Sequence, residues 1–170
     1  MDNRQSHSQR LGAQSPALFI GFTLAAAFTA ALAAFASVAF ALPVWAMFIG
    51  WVAYFTRGHS LRDGATNLVC VVIGIALGIG AMLSIAALQP VAGIAALPVV
   101  VFAVAAIVVS LRAAPAINNL LGYFLGLIAF FASHLEPALA TLLHLSAAGA
   151  LGGLAAWLST RMQAGLLRTT

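Results

Sequence analysis

Six uncharged hydrophobic runs divide the chain, and the segments around them hold all of its arginines. The runs cover residues 17–42, 43–55, 64–88, 91–111, 113–133 and 137–159. The first is long enough to cross a hydrocarbon core of about 30 Å with some tilt. In lipid the backbone must satisfy its own polar groups, and no strands are legible, so the runs read as helices. Composition agrees. The chain is 64% hydrophobic and 6% charged, against roughly 25% charged in a soluble domain. So few polar residues cannot supply the exterior that a water-soluble globule needs. The expected fold is an all-α polytopic membrane helix bundle of six transmembrane helices, with the lipid bilayer as its surroundings.

The arginines orient the bundle. If all six runs cross, starting from the cytoplasm, the inner segments carry Arg4, Arg10, Arg57, Arg62, Arg112, Arg161 and Arg168, and an outer loop carries Glu136. Arginine and lysine favour the cytoplasmic side. Run 43–55 is short, about 20 Å as a helix, and would serve equally as a re-entrant hairpin. A hairpin would put Arg57 and Arg62 outside, so the arginines select six spans with both termini cytoplasmic. The expected organisation is a tail over 1–16, a membrane domain over 17–160 with halves of about 17–88 and 91–160, and a tail over 161–170. Arg4 and Arg10 ahead of the first run, with Ala39-Phe40-Ala41 at its end, also resemble a secretory signal. The run far exceeds the roughly 7–15 apolar residues of a signal core, so it is read as retained. The net charge of +4 comes with no lysine and no basic patch interleaved with aromatics, which argues against a nucleic-acid partner.

An aromatic stretch, Trp45 to Phe55, has a weaker copy at Phe124 to Phe131. Gly50, Ala53, Tyr54 and Phe55 correspond to Gly126, Ala129, Phe130 and Phe131 at an offset of 76 residues. The offset divides the protein into two units of three helices. Three is odd, so the second unit enters the membrane with opposite polarity, and the pattern reads as two inverted three-helix repeats of the kind common in transporters. Three glycine pairs, Gly74/Gly78, Gly122/Gly126 and Gly149/Gly153, each place two glycines one turn apart on one face. In lipid, where hydrophobic drive between helices is weak, such faces let backbones approach closely, within one chain or between subunits of a homo-oligomer. Trp45, Trp51 and Trp157 fall near expected span ends, where amphipathic rings favour the interface.

Few polar residues interrupt the runs. Asn67 is expected about one turn into the third helix, Asn118 and Asn119 about two turns into the fifth, and His144 about two turns into the sixth. Polar groups at such depth face the bundle interior or a water-filled cavity. One reading has them line a narrow, mostly apolar path or pocket. The other has them as interhelical hydrogen-bond partners, each contributing under ~1 kcal/mol. Nothing points to an enzyme. No Asp or Glu lies in a run, His134 and Glu136 are two apart in a loop, and no Ser or Cys stands in the context of an activated nucleophile. The single cysteine, Cys70, excludes an intrachain disulfide. No metal or other cofactor is expected.

Trp45-x-x-Phe48-x-Gly50-x-x-Ala53-Tyr54-Phe55, followed by Gly58 and Gly64, resembles the YcdZ-type family of small bacterial inner-membrane proteins, a domain of unknown function. Phe124-x-Gly126 with Ala129 and Phe131 resembles that family's second landmark, with Leu121 where a proline is expected. The resemblance spans roughly residues 17–160. It implies a multi-pass protein of the bacterial inner membrane and brings no substrate or catalytic residue with it.

Two functions therefore stand side by side: a channel or facilitator for a small neutral or weakly charged solute, and a non-transporting structural or accessory subunit. Six spans make a direct prediction. A reporter active only in the periplasm will be inactive when fused after Arg62 or Thr170, and active when fused near Gln89 or Glu136. Activity at Arg62 would replace six spans with the re-entrant topology.

Overall fold

The computed structural model describes residues 16–169; the expected tail, with Arg4, His7 and Arg10, lies outside the described residues. The described chain is helical throughout its regular structure. In order the helices are α1 (Pro16–Ala39), α2 (Val44–Tyr54), α3 (Leu61–Ala92), α4 (Ala96–Leu111), α5 (Leu120–Ser133) and α6 (Leu139–Thr169), with a 3-10 turn over Gly93–Ala95. By length and composition, Pro16–Ala39, the stretch Leu61–Leu111 and Leu139–Arg168 are long and apolar enough to cross a membrane. α2 and α5 are apolar but shorter, with 11 and 14 residues. Large side chains such as Phe35 and Phe102 stand 74% and 77% exposed on the outside. That exterior suits lipid, and the chain has the build of a membrane protein.

The stretch Leu61–Leu111 is not one rod. Cys70 and Val108 share a buried cluster that Leu77 and Val104 pack against, and Leu88 and Val99 nearer the turn line a common groove, so α4 returns antiparallel along α3. The reversal comes later than the Gln89-Pro90 turn expected from sequence, because α3 continues through Pro90 to Ala92. A proline in the last turn forfeits only one i→i−4 bond. The turn itself needs a positive φ, which Gly93 supplies at 54°, its N–H bonded to the Gln89 carbonyl. Two more boundaries differ from expectation. The fifth helix starts at Leu120, not Ala113: Pro115 interrupts the segment and Asn119 caps the helix. The sixth does not stop at Ser159. No proline breaks the chain after it, and α6 runs on to Thr169 with Leu166 against Gly21 of α1.

Two helix pairs carry the most extensive packing, α2 with α6 and α3 with α5. Both run parallel. Ala46 clusters with Leu145 and Ala148 while the Tyr54 hydroxyl reaches Thr160. Asn67 meets Asn119 while Gly78 meets Phe130. Glycines sit at both crossings. A Cβ on Gly126 would strike the Val71 carbonyl and lie 2.7 Å from Ile75 N and 2.8 Å from Gly74 Cα. One on Gly74 would strike the Tyr123 carbonyl, one on Gly50 the backbone of Gly149, and one on Gly152 the Met47 carbonyl. Gly122 and Gly78 face side chains, Cys70 Cβ at 2.7 Å and Phe130 Cδ1 at 2.8 Å. Gly149 and Gly153 themselves leave ordinary room, 3.8 Å to Leu68 and 3.7 Å to the Gly50 carbonyl. On α6 the tight position is Gly152, which the Gly149/Gly153 spacing does not include.

The core grows from these crossings. Ala46, Ala53, Val71, Ile75, Ala129, Phe130, Leu145 and Ala148 form one buried cluster drawn from four helices. Backbone cannot yield to an added methyl as a flexible side chain can. Gly126→Ala and Gly152→Ala should each lose roughly 1–3 kcal/mol, the usual cost of overpacking. Gly80→Ala enters open space and should be neutral, or stabilise by up to about 1 kcal/mol through reduced backbone entropy. Thermal unfolding in detergent reads all three. Equal midpoints would show that the crossings tolerate separation.

Candidate functional site

The polar residues gather at one end of the bundle, where α2 ends and α3 and α5 begin. α2 stops at Tyr54 and leaves carbonyls without intrahelical partners, as every helix end does. Asn67, 1% exposed on α3, donates from Nδ2 to the Tyr54 carbonyl at 3.1 Å. Asn119, 7% exposed, caps α5 by accepting the Gly122 N–H at 3.3 Å. Its Nδ2 then donates to Asn67 Oδ1 at 2.8 Å and to Thr56 Oγ1 at 2.6 Å. The Thr56 hydroxyl in turn donates to the Ala53 carbonyl at 2.7 Å. One amide thus ties together the end of α2, the body of α3 and the start of α5. Buried amides are costly when unpaired, and here each has both its donor and its acceptor group engaged.

A second, more exposed layer covers the first. Ser60 caps α3, its Oγ accepting the Asp63 N–H at 3.0 Å and donating to Asp63 Oδ2 at 2.6 Å. Arg57 Nε lies 3.4 Å from Asp63 Oδ1, and Arg57 Nη1 donates to Asn118 Oδ1 at 2.5 Å. Beside them the Tyr54 hydroxyl donates to the His59 carbonyl at 2.5 Å and lies 3.2 Å from Thr160 Oγ1 of α6. The Ile117 carbonyl receives the Tyr123 hydroxyl at 2.6 Å and the Cys70 thiol at 3.4 Å. Under this layer lies a void of about 10 Å³ lined by Gly50, Ala53, Tyr54, Gly64, Asn67, Leu68, Val71, Gly149 and Gly153, close to the least space that holds one water.

Of the sequence-derived candidates, Asn67 and Asn119 meet directly. Asn118 does not enter the interior; it precedes α5, is exposed, and faces Arg57. His144 is half-buried on α6, 16 residues before the Thr160 that meets Tyr54. That is about 24 Å of helix, so His144 is apart from the cluster. Of the repeated motif, Gly50, Ala53 and Tyr54 line the void, Phe55 stacks edge-on against Tyr54, and Ala129 and Phe130 enter the core, while Phe131 is exposed. Sequence reasoning did not single out Thr56, and it read Arg57 for topology and not as a member of this cluster. Ser60-x-x-Asp63 ahead of an apolar run is a helix-start signal that would have drawn attention to their turn. Among the described residues no three of His, Cys, Asp and Glu converge to hold a metal.

The bridge can be separated from the cap. Asn119→Ala removes both, leaves Asn67 Oδ1 without its donor and Gly122 N–H with only the residue-119 carbonyl as acceptor, and should cost about 2 kcal/mol. Asn119→Ser keeps a cap acceptor but is too short to reach Asn67, and should cost about half as much. Thermal unfolding of the three proteins in one detergent measures this. Two variants as stable as the parent would leave the bridge without a structural role.

No curated protein and no solved structure matches the chain. One family model, described as Protein of unknown function (DUF1097), matches residues 23–164. That match covers all six helices in whole or in large part, including the amide bridge and both glycine crossings, and the chain belongs to the DUF1097 family.

Proposed function

We propose that this protein is a non-enzymatic facilitator for a small neutral or weakly charged solute, a YcdZ-type member of its family in the bacterial inner membrane. It has six spans, both termini in the cytoplasm, and needs no cofactor. The single observation that carries the reading is the Asn67–Asn119 bridge. Buried amides at the seam between the two halves, beside a small internal void, are the polar station such a path requires.

The two halves are inverted repeats in this reading, and the crossings support it. The Met47 carbonyl lies against Gly152 as the Tyr123 carbonyl lies against Gly74. Gly50 lies against Gly149 as Gly126 lies against Val71. Each contact of the first kind maps onto the second by one pair of offsets, 76 residues from α2 to α5 and 78 from α3 to α6. Seven arginines distributed as the positive-inside rule requires support the orientation. We also take the protein to be a homo-oligomer, since Gly80 and Gly165 face open space where the helix of a second copy can approach closely.

The non-transporting reading is favoured by one observation of its own: both amides are engaged inside the bundle, and the void holds about one water. Proteoliposome swelling with glycerol and with urea separates the two. Facilitation predicts flux above that of protein-free vesicles, reduced several-fold by Asn67→Leu. Flux at the protein-free level for both solutes would leave a structural or accessory subunit.

A further inference from the structure

Among the described residues, the side-chain hydrogen bonds between the two halves are all at one end. Tyr54–Thr160, Arg57–Asn118, Cys70–Ile117, Thr56–Asn119 and Asn67–Asn119 each join a residue before Gly93 to one after it, and all lie around the Arg57 turn and the start of α5. The offsets that relate the two glycine crossings also show what occupies the corresponding places at the other end. Tyr54 corresponds to Phe130, Asn67 to Leu145, Asn119 to Pro43, Asn118 to Leu42 and Arg57 to Ser133. Phe130 and Leu145 are 1% exposed and share the apolar core cluster, with Leu42 packed against it. Ser133 turns its hydroxyl to the Phe130 carbonyl within its own helix, at 2.7 Å. Among the described residues, one end is joined by polar side-chain bonds across the seam and the other by apolar contact.

We propose that the Arg57 end is a hydrogen-bonded latch that holds the two halves together on that side, and that Arg57 and Asn118 are its outer clasp over the Asn119 bridge. The inference deepens the facilitator reading and rests on it for the idea that the seam opens. In an inverted repeat the two ends exchange roles when the halves rock, and only a difference between the ends can favour one state. The latch is that difference. It biases the seam to stay shut on the side that the arginine distribution assigns to the cytoplasm, and leaves the Leu42–Phe130–Leu145 end to part without breaking a side-chain hydrogen bond between halves.

The clasp is the part to remove, because Arg57 and Asn118 are both exposed and neither belongs to a core cluster. A single cysteine at Leu68, which lines the void, is placed in a Cys70→Ala background of the full chain. Membrane vesicles of each orientation are treated with a small charged thiol reagent that does not cross lipid. In the parent the cysteine should label slowly from both sides. Arg57→Ala and Asn118→Ala should each raise the labelling rate about fivefold from the Arg57 side and leave the other side unchanged, as expected for losing one partly exposed, charge-assisted bond. Arg57→Lys, which keeps the charge and a donor, should return most of the protection. Unchanged rates in both alanine variants overturn the latch. So does an equal rise from both sides, which reports general loosening. Labelling does not depend on transport. A one-sided rise in a protein that passes neither glycerol nor urea upholds the latch and discards the facilitator, whereas solute flux with no one-sided rise does the reverse.

Discussion

Close approach of backbone to backbone at two glycine crossings is the constraint on which the rest of the bundle depends. At Gly126 the facing atoms are the Val71 carbonyl, Ile75 N and Gly74 Cα; at Gly152 they are the Met47 carbonyl and Trp51 N. In water a bundle of this size would gain cohesion by withdrawing apolar side chains from solvent. In lipid that gain is mostly absent, and cohesion rests on van der Waals contact and on hydrogen bonds between helices. Contact is greatest where no Cβ intervenes. The short helices α2 and α5 are held in this way, each along a far longer partner, α6 and α3. This lets segments of 11 and 14 residues pack into one bundle with partner helices of 31 and 32 residues.

That arrangement creates the polar end. A helix as short as α2 ends inside the protein, and its last carbonyls need donors that water would otherwise provide. Asn67 supplies one, Thr56 another, and Asn119 closes the set while starting α5. The bridge is therefore first a consequence of helix length. Its place between the two halves is what the proposed latch draws on, because polar groups concentrated at one side make the two ends unequal.

Much of the fold was legible in the sequence. Apolar run length and the near absence of charge identified helices in a membrane setting, since no other local structure closes its own hydrogen bonds. The starts and ends of α2 followed from Pro43 and from the turn rich in polar residues after Phe55. The boundaries of α3, α5 and α6 were misjudged where a run's hydrophobicity and its helicity part company. Pro90 is absorbed into α3, the uncharged residues 113–118 precede the Asn119 cap and lie outside α5, and α6 continues past the last apolar run.

The site divides along the same line. Sequence by itself determined that the chain is an all-helical bundle with an apolar exterior, that its glycines are spaced for close helix contact, and that only a few polar side chains would be enclosed. These follow from local composition and period, which each segment carries within itself. Tertiary structure decided which of those residues meet. It paired Asn67 with Asn119, 52 positions apart, turned Asn118 outward to Arg57, left His144 at a distance, and made Gly152 the tight position on α6. Such pairings depend on crossing angle and relative height of helices remote in sequence, and no segment encodes its partner's register alone.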